Sequence, residues 1–325
     1  MSILVLKEAI VSSIDAPKQM FSRVNEFLEA KGKPPIFHVN LVSCTKETKV
    51  NSGTYIINCD HTMDEIDKTD LVIIPMLFCN CFPKAIEENK AFVPWIIKQY
   101  QNNAEIASLC TGSFFLASTG LLDGKSCAVH WGAANEFRSM FPSVNVVNDK
   151  IITYGQGIYT SGGNYSYLNL ILCLIEKYAD REMSVFISKM FEIEIERKSQ
   201  APFTIFKGQK DHDDEPIKKA QEFIENNYQD KITIDQLTGM LALSRRNFER
   251  RFKKATANTI VEYIQRVKIE AVKKGLEISR KKVIDLMYDV GYTDIKAFRT
   301  TFKKVTGLSP IEYRKKYCNS KLTET

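Results

Sequence analysis

A chain of 325 residues exceeds what one core usually supports, so at about 150 residues per domain two domains are expected. Its 44% hydrophobic and 26% charged residues are those of a globular protein, and no run of about 18 apolar residues exists to cross a bilayer. The net charge of +6 is uneven: residues 231–325 hold 22 Lys/Arg against 10 Asp/Glu, leaving the first 230 residues acidic, a distribution that excludes neither half from folding but directs the second toward a polyanion.

The apolar run Met1–Leu6 lacks a basic flank and is too short for a signal-peptide core, so it reads as a first strand. The eight cysteines are scattered through apolar segments rather than spaced as a disulfide framework, which predicts a reducing, cytoplasmic setting. Cys79-x-Cys81 has no second Cys/His pair to complete a zinc site, so neither metal nor cofactor is expected. Pro17, Met20, Phe21, Val24, Phe27 and Leu28 recur at three- and four-residue steps and predict a helix. Strands are predicted at 3–6, 37–42, 71–75, 106–109 and 127–130, with amphipathic stretches between them. That alternation implies a doubly wound, mostly parallel, flavodoxin-like α/β sheet over residues 1–207.

Around Cys110 the sequence IASLCTGSFFLA reads as strand, sharp turn and helix, with small residues on both sides of the cysteine as a nucleophile elbow requires. His130 ends a further predicted strand, and His is the usual base for such a thiol. Residues 208–216 form an acidic, polar run that predicts a linker, with His212 in solvent. Beyond it every pattern is helical, so residues 217–325 are expected to be all-α.

Residues 248–263, FERRFKKATANTIVEY, return fifty positions later as 298–313, FRTTFKKVTGLSPIEY, with seven of sixteen positions identical. One supersecondary unit is therefore used twice. Thr233 and Gln236 form a capping-box pattern before the first copy, Ser244 is placed to cap its second helix, and Gly291 and Asp294 mark the same joints in the second copy. Each copy reads as helix, turn, helix. With Phe248 and Phe252 turned inward, Arg246, Glu249, Arg250 and Lys253 face outward, and a shift of fifty adds Lys296, Arg299, Thr300 and Lys303. Arginines near a helix N-terminus suit base reading in the major groove, and the lysines suit phosphate.

These segments, ITIDQLTGMLALSRRNFERRFKKAT and VGYTDIKAFRTTFKKVTGLSPIEYRKKY, resemble the AraC/XylS family of transcription regulators over residues 217–317. The resemblance implies two helix-turn-helix units joined by a long helix, here Val261–Leu276, with base-facing positions at Arg246, Glu249, Arg250, Lys296, Arg299 and Thr300. Ala257 and Ile260 stand where the family usually has Gly and Pro, and Gly275 where it has Leu. The segment CTGSFFLASTGLLDGKSCAVHW, with GIYTSGG at 157–163 and RKSQAPF at 197–203, resembles the class I glutamine amidotransferase-like superfamily in its intracellular-protease-type branch, over residues 3–205. Two departures argue against catalysis. Ser12-Ser13 replaces the acid common after the first strand, with Glu8 and Asp15 as substitutes, and Met76-Leu77-Phe78 replaces a Gly-Gly oxyanion loop.

The resulting expectation is a cytoplasmic transcription regulator and not an enzyme: a sensor over 1–207, a linker over 208–216 and a DNA-binding domain over 217–325. Its sensor pocket is placed at Cys110, Thr111 and His130 for a small nitrogenous metabolite, as the resemblance implies. The expected partners are double-stranded DNA, the effector, RNA polymerase and a second copy in a homodimer. Two alternatives are a cysteine-dependent enzyme acting on a small amide or aldehyde, and a redox sensor through Cys110.

Overall fold

A computed structural model describes all residues except 79, 80, 148, 196, 198, 211 and 319–325. It divides into two units, Met1–Gln200 and Ala201–Thr325.

The first unit holds strands β1 (Ser2–Leu4), β2 (Asn40–Ser43), β3 (Glu47–Val50), β4 (Tyr55–Asn58), β5 (His61–Thr62), β6 (Leu71–Ile74), β7 (Glu105–Ser108), β8 (Ser126–Ala128), β9 (Asn145–Val147), β10 (Ile152–Gly155) and β11 (Ile158–Ser161). Its helices are α1 (Ser12–Ala30), α2 (Phe82–Glu88), α3 (Phe92–Gln101), α4 (Gly112–Ser118), α5 (Ala134–Met140), α6 (Tyr167–Tyr178) and α7 (Arg181–Met190). A seven-stranded sheet runs in the order β10-β11-β7-β6-β1-β2-β5, and only the β10–β11 pair is antiparallel. All four residues of β6, Leu-Val-Ile-Ile, are buried, as a central parallel strand covered on both faces requires. The chain leaves β1 toward β2 and β5 and then returns to the other side of β1 as β6, which makes a topological switch at the carboxyl ends of β1 and β6.

The fold class is the predicted one, with one misplaced strand. The segment predicted as a strand over 127–130 ends at Ala128 and lies outside the main sheet, pairing in parallel with β9 instead. His130 is therefore carried by a loop two residues past a small satellite sheet. The antiparallel β3–β4 hairpin was not anticipated, because its exposed Tyr55 and Ile56 break the inside-outside alternation on which a half-buried strand is recognised.

The second unit is helical: α8 (Glu215–Asn226), α9 (Ile234–Leu241), α10 (Arg245–Thr256), α11 (Ile260–Ile278), α12 (Val283–Asp289), α13 (Ile295–Thr306) and α14 (Pro310–Tyr317). It contains two cores. One gathers Ile217, Ile224, Leu237, Phe248, Phe252 and Tyr263, and the other gathers Val272, Leu276, Leu286, Phe298, Phe302 and Tyr313. α11 contributes to both.

The described residues of 208–216 differ from a solvated spacer: the unit boundary falls at Gln200, so these residues, and 201–207 expected in the sensor, belong to the helical unit. The Gln209 carbonyl accepts from Gln221 Nε2 at 2.7 Å, and Asp214 caps α8 and pairs with Arg251 at 2.6 Å. His212 is half-buried, its Nε2 being 2.9 Å from Gln221 Oε1. Cys79 lies outside the described residues, and among the described residues no cluster of His, Cys, Asp and Glu is built to hold a metal ion. No helix among them is long and apolar enough to cross a membrane.

Candidate functional site

In the helical unit, the duplicated sequence places two equivalent helices. α10 buries Phe248 and Phe252 on one face, which exposes Arg246, Glu249, Arg250 and Lys253 on the other. α13 repeats this with Phe298 and Phe302 inside and Lys296, Arg299, Thr300 and Lys303 exposed. All eight side chains stand where the pattern predicts. Arg250 Nη2 donates to Asn247 Oδ1 at 3.1 Å, and Arg245 pairs with Glu249 at 3.0 Å, so Glu249 is already engaged within its own helix.

The helix ends differ between the copies in instructive ways. Asp294 accepts from the amides of Lys296 and Ala297 and caps α13, whereas the Ser244 hydroxyl makes no such bond at the start of α10. Thr233 accepts from the Gln236 amide at 3.2 Å, half of the predicted capping box. Ala257, at the C-terminus of α10, adopts φ 52°, the left-handed conformation that its counterpart Gly307 takes at φ 73°. Gly275 lies against α12, where a Cβ would stand 2.5 Å from Leu286 Cδ2, so the departure from the family's Leu is a close helix contact.

In the first unit, Cys110 follows β7 at the switch end of the sheet. Its φ of 49° is the strained left-handed turn of an elbow, and Gly112 is required there because a Cβ would collide with the Pro75 carbonyl. Burial, however, works against a thiolate there. Cys110 is 3% exposed, and burial pushes its thiol up to about 12, against the weaker pull of hydrogen bonds from Thr111. His130 is half-exposed, and burial lowers its pKa. Its Nδ1 accepts from the Gly132 amide at 3.0 Å, and among the described residues no hydrogen bond joins it to Cys110.

Four backbone amides around the elbow are also committed. The Met76 amide donates to Ser13 Oγ at 2.9 Å, the Leu77 amide to Thr111 Oγ1 at 3.1 Å, and the Phe78 amide to the Glu8 carbonyl at 2.9 Å. The Cys110 amide donates to Ser161 Oγ at 3.2 Å. Thr111 is a strut: its hydroxyl also donates to the Leu77 carbonyl at 2.7 Å. Of the two substitute acids, the Glu8 carboxylate accepts from Ser52 and Asp15 accepts from Gln19. Ser13, Ser161 and Tyr167, whose hydroxyl donates to the Ser12 carbonyl at 3.0 Å, are the residues around the elbow that sequence reasoning missed. The GIYTSGG segment contains Ser161, and Ser13 enters only as a residue standing in place of an acid.

Comparison with known proteins agrees with both halves of this description. Residues 20–177 match the DJ-1/PfpI family, and residues 237–316 match a helix-turn-helix domain. The HTH-type transcriptional regulator GbdR of Pseudomonas aeruginosa is 27% identical over 233 residues, covering 68% of this chain and 60% of that protein. The HTH-type transcriptional regulator ArgR of the same organism is 25% identical over 215 residues, covering 66% and 65%. The chain thus spans somewhat under two thirds of the length of these curated relatives. A crystal structure of a candidate transcriptional regulator from Vibrio parahaemolyticus shares the fold over 58% of this chain and 96% of its own, with a TM-score of 0.51 at 20% identity. This chain therefore carries a DJ-1/PfpI family domain followed by an AraC-type helix-turn-helix domain.

Proposed function

We propose that the protein is a sequence-specific DNA-binding transcription regulator whose first unit senses a small nitrogenous metabolite. The observation that carries this reading is the pair of equivalent helices, α10 and α13, each anchored by two buried phenylalanines and each presenting exposed cationic residues. Arg246, Arg250 and Arg299 are the base-reading groups, with Glu249, Lys296 and Thr300 beside them, and Lys253 and Lys303 neutralise phosphate. The relatives named as transcriptional regulators support the same reading. RNA polymerase and a second copy of the chain are its further partners.

The effector site is assigned to the switch end of the sheet around Cys110, Thr111 and His130, acting by binding rather than by catalysis. A buried thiol held neutral, a His130 that is bonded to Gly132 rather than to Cys110, and four nearby backbone amides already engaged favour binding over an activated nucleophile. The same burial opposes a redox sensor, which needs an accessible low-pKa thiol.

Selection of duplexes from a random library by the full chain tests the DNA reading. Enrichment of a two-part element is expected, and retention of DNA without sequence enrichment would overturn it. Mass spectrometry of small molecules that co-purify with the chain, repeated with Cys110→Ser and His130→Ala, tests the effector site. Retention unaffected by both changes would move the pocket elsewhere.

A further inference from the structure

The two cores of the helical unit are separate clusters, and α11 runs through both. A single helix can bend and twist, so a shared helix alone holds two recognition helices loosely. On one face of α11, Lys268 Nζ donates to the Asp230 carbonyl at 3.1 Å and to the Val290 carbonyl at 2.7 Å, stitching the first half to the second. At 3.6 residues per turn, Tyr263, Arg266, Glu270 and Lys273 lie on roughly the opposite face. That face is covered by residues 201–209.

This segment opens with a single 3-10 turn, Ala201–Phe203, and then runs as an extended strap, with alternate residues turned toward and away from the helices over 204–208. α11 grips its backbone with an ion pair. Lys273 Nζ donates to the Thr204 carbonyl at 2.6 Å and to Glu270 Oε2 at 2.7 Å, and the same Glu270 oxygen accepts from the Phe206 amide at 3.1 Å. The Lys273 side chain is only 3% exposed. A charge buried this far is costly unless each donor is met, and the strap supplies one of its partners.

The two ends of the strap reach different halves. At its start, the Pro202 carbonyl accepts from Tyr317 Oη at 2.9 Å, and Lys316 Nζ stands 4.5 Å over the Phe203 ring, so Pro202 and Phe203 hold α14 of the second half. At its end, the Phe206 ring packs edge-on against Tyr263 at 5.1 Å and lies 5.7 Å from the Arg266 guanidinium, beside the first core. Gly208, at φ 69°, sits so close to the Tyr263 hydroxyl that a Cβ would collide with it, and Gln209 is bonded by Gln221 and Asn258. The strap begins one residue after Gln200, whose side-chain amide donates within the first unit to the Val129 carbonyl at 3.0 Å and the Lys150 carbonyl at 2.9 Å.

We infer that residues 201–209 are a positioning strap that locks the two helix-turn-helix halves across α11 and thereby sets which spacing of half-elements the protein reads. The inference rests on the DNA-binding reading above. Rigid linkage makes the second half bind at a high effective concentration only at one spacing, so loosening the strap lowers two-half affinity and broadens spacing tolerance without changing either half.

The test uses the full chain, a duplex selected by it from a random library, and versions of that duplex with either half scrambled or with 1 bp inserted or removed between the halves. Phe203→Ala/Phe206→Ala alters only the strap, and Lys273→Met removes its grip while keeping the aliphatic stem. For either variant we expect affinity for the intact duplex to fall about tenfold, affinities for the two half-scrambled duplexes to stay within about twofold, and the penalty for a 1 bp change to shrink. Unchanged intact-duplex affinity and spacing penalty in the Phe203→Ala/Phe206→Ala chain overturn the inference. So does an equal loss on every duplex, which marks the strap as general support for the fold. A wild-type chain that enriches no sequence overturns the DNA reading and this inference with it.

Discussion

Arg250 and Lys253 lie on the same exposed face of α10, less than one turn apart, yet they are assigned different work. Arg250→Ala is expected to cost about 1–3 kcal/mol on the selected duplex and much less on random DNA, because a fork-shaped donor reads a base edge. Quantitative gel shifts on both duplexes check this, and equal losses would remove Arg250 from base reading. Lys253→Ala is expected to weaken all sequences alike and to reduce the slope of log affinity against log salt by about 1. Titrations between low and moderate salt would expose an unchanged slope. In the first unit, Cys110 and Cys127 both have thiols pushed by burial from 9.0 up to about 12. Both are neutral in the folded and unfolded chain well below pH 9, so the stability they contribute is fully present there. It is lost as pH rises from about 9 toward 12, where the unfolded thiols ionise first. Chemical denaturation across that window should show falling stability, with a shallower fall in Cys110→Ser. An identical pH slope in that variant would contradict the assigned burial.

At the scale of an element, the two copies of the helix-turn-helix unit offer an internal control. Ala257 and Gly307 end equivalent helices in the same left-handed conformation, and a Cβ on Gly307 would meet nothing closer than 3.7 Å. Sterics therefore do not separate the sites, but backbone conformation does, since a left-handed residue with a Cβ is disfavoured by roughly 1–2 kcal/mol. Ala257→Gly should raise stability and Gly307→Ala should lower it, each by about 1 kcal/mol after the entropy of glycine is counted. Thermal unfolding of the full chain monitored by helical circular dichroism reads both. Opposite signs are expected, and two losses of equal size would mean that Ala257 is held by packing rather than strained.

Across the whole molecule, the proposed DNA reading implies a bipartite reader, since α10 and α13 carry different exposed residues, Arg246/Glu249/Arg250 against Lys296/Arg299/Thr300. Each half of the element should have its own sequence, so the element should have a direction. B-DNA returns to one face after about 10–10.5 bp, so the halves should be spaced by about one turn. Inserting about 5 bp turns the second half to the opposite face and should abolish high-affinity binding, whereas base changes within one half should only weaken it. Footprinting that covers a single half and ignores the insertion would leave only one helix-turn-helix engaged.

Periodicity and duplication are local properties, and for that reason the sequence by itself determined the sheet-then-helix order, the fifty-residue repeat and the outward placement of eight residues of α10 and α13. A helix with two phenylalanines four apart has one inward face, and the remaining residues must point away from it. The elbow at Cys110 was legible too, because tight turns demand small neighbours. What the elbow can do was not. Whether the Met76–Phe78 amides are open donors depends on Ser13, Thr111 and Glu8, which are distant in sequence, and the thiol's pKa depends on how much protein surrounds it. The placement of residues 201–209 was likewise decided only in three dimensions. Composition assigned 201–207 to the sensor and began a spacer at 208, yet here the backbone of this stretch meets Lys273 and Glu270 and its aromatic rings meet both halves of the helical unit. Local sequence specifies which way a residue faces along its own element, and tertiary packing alone specifies what waits there to receive it.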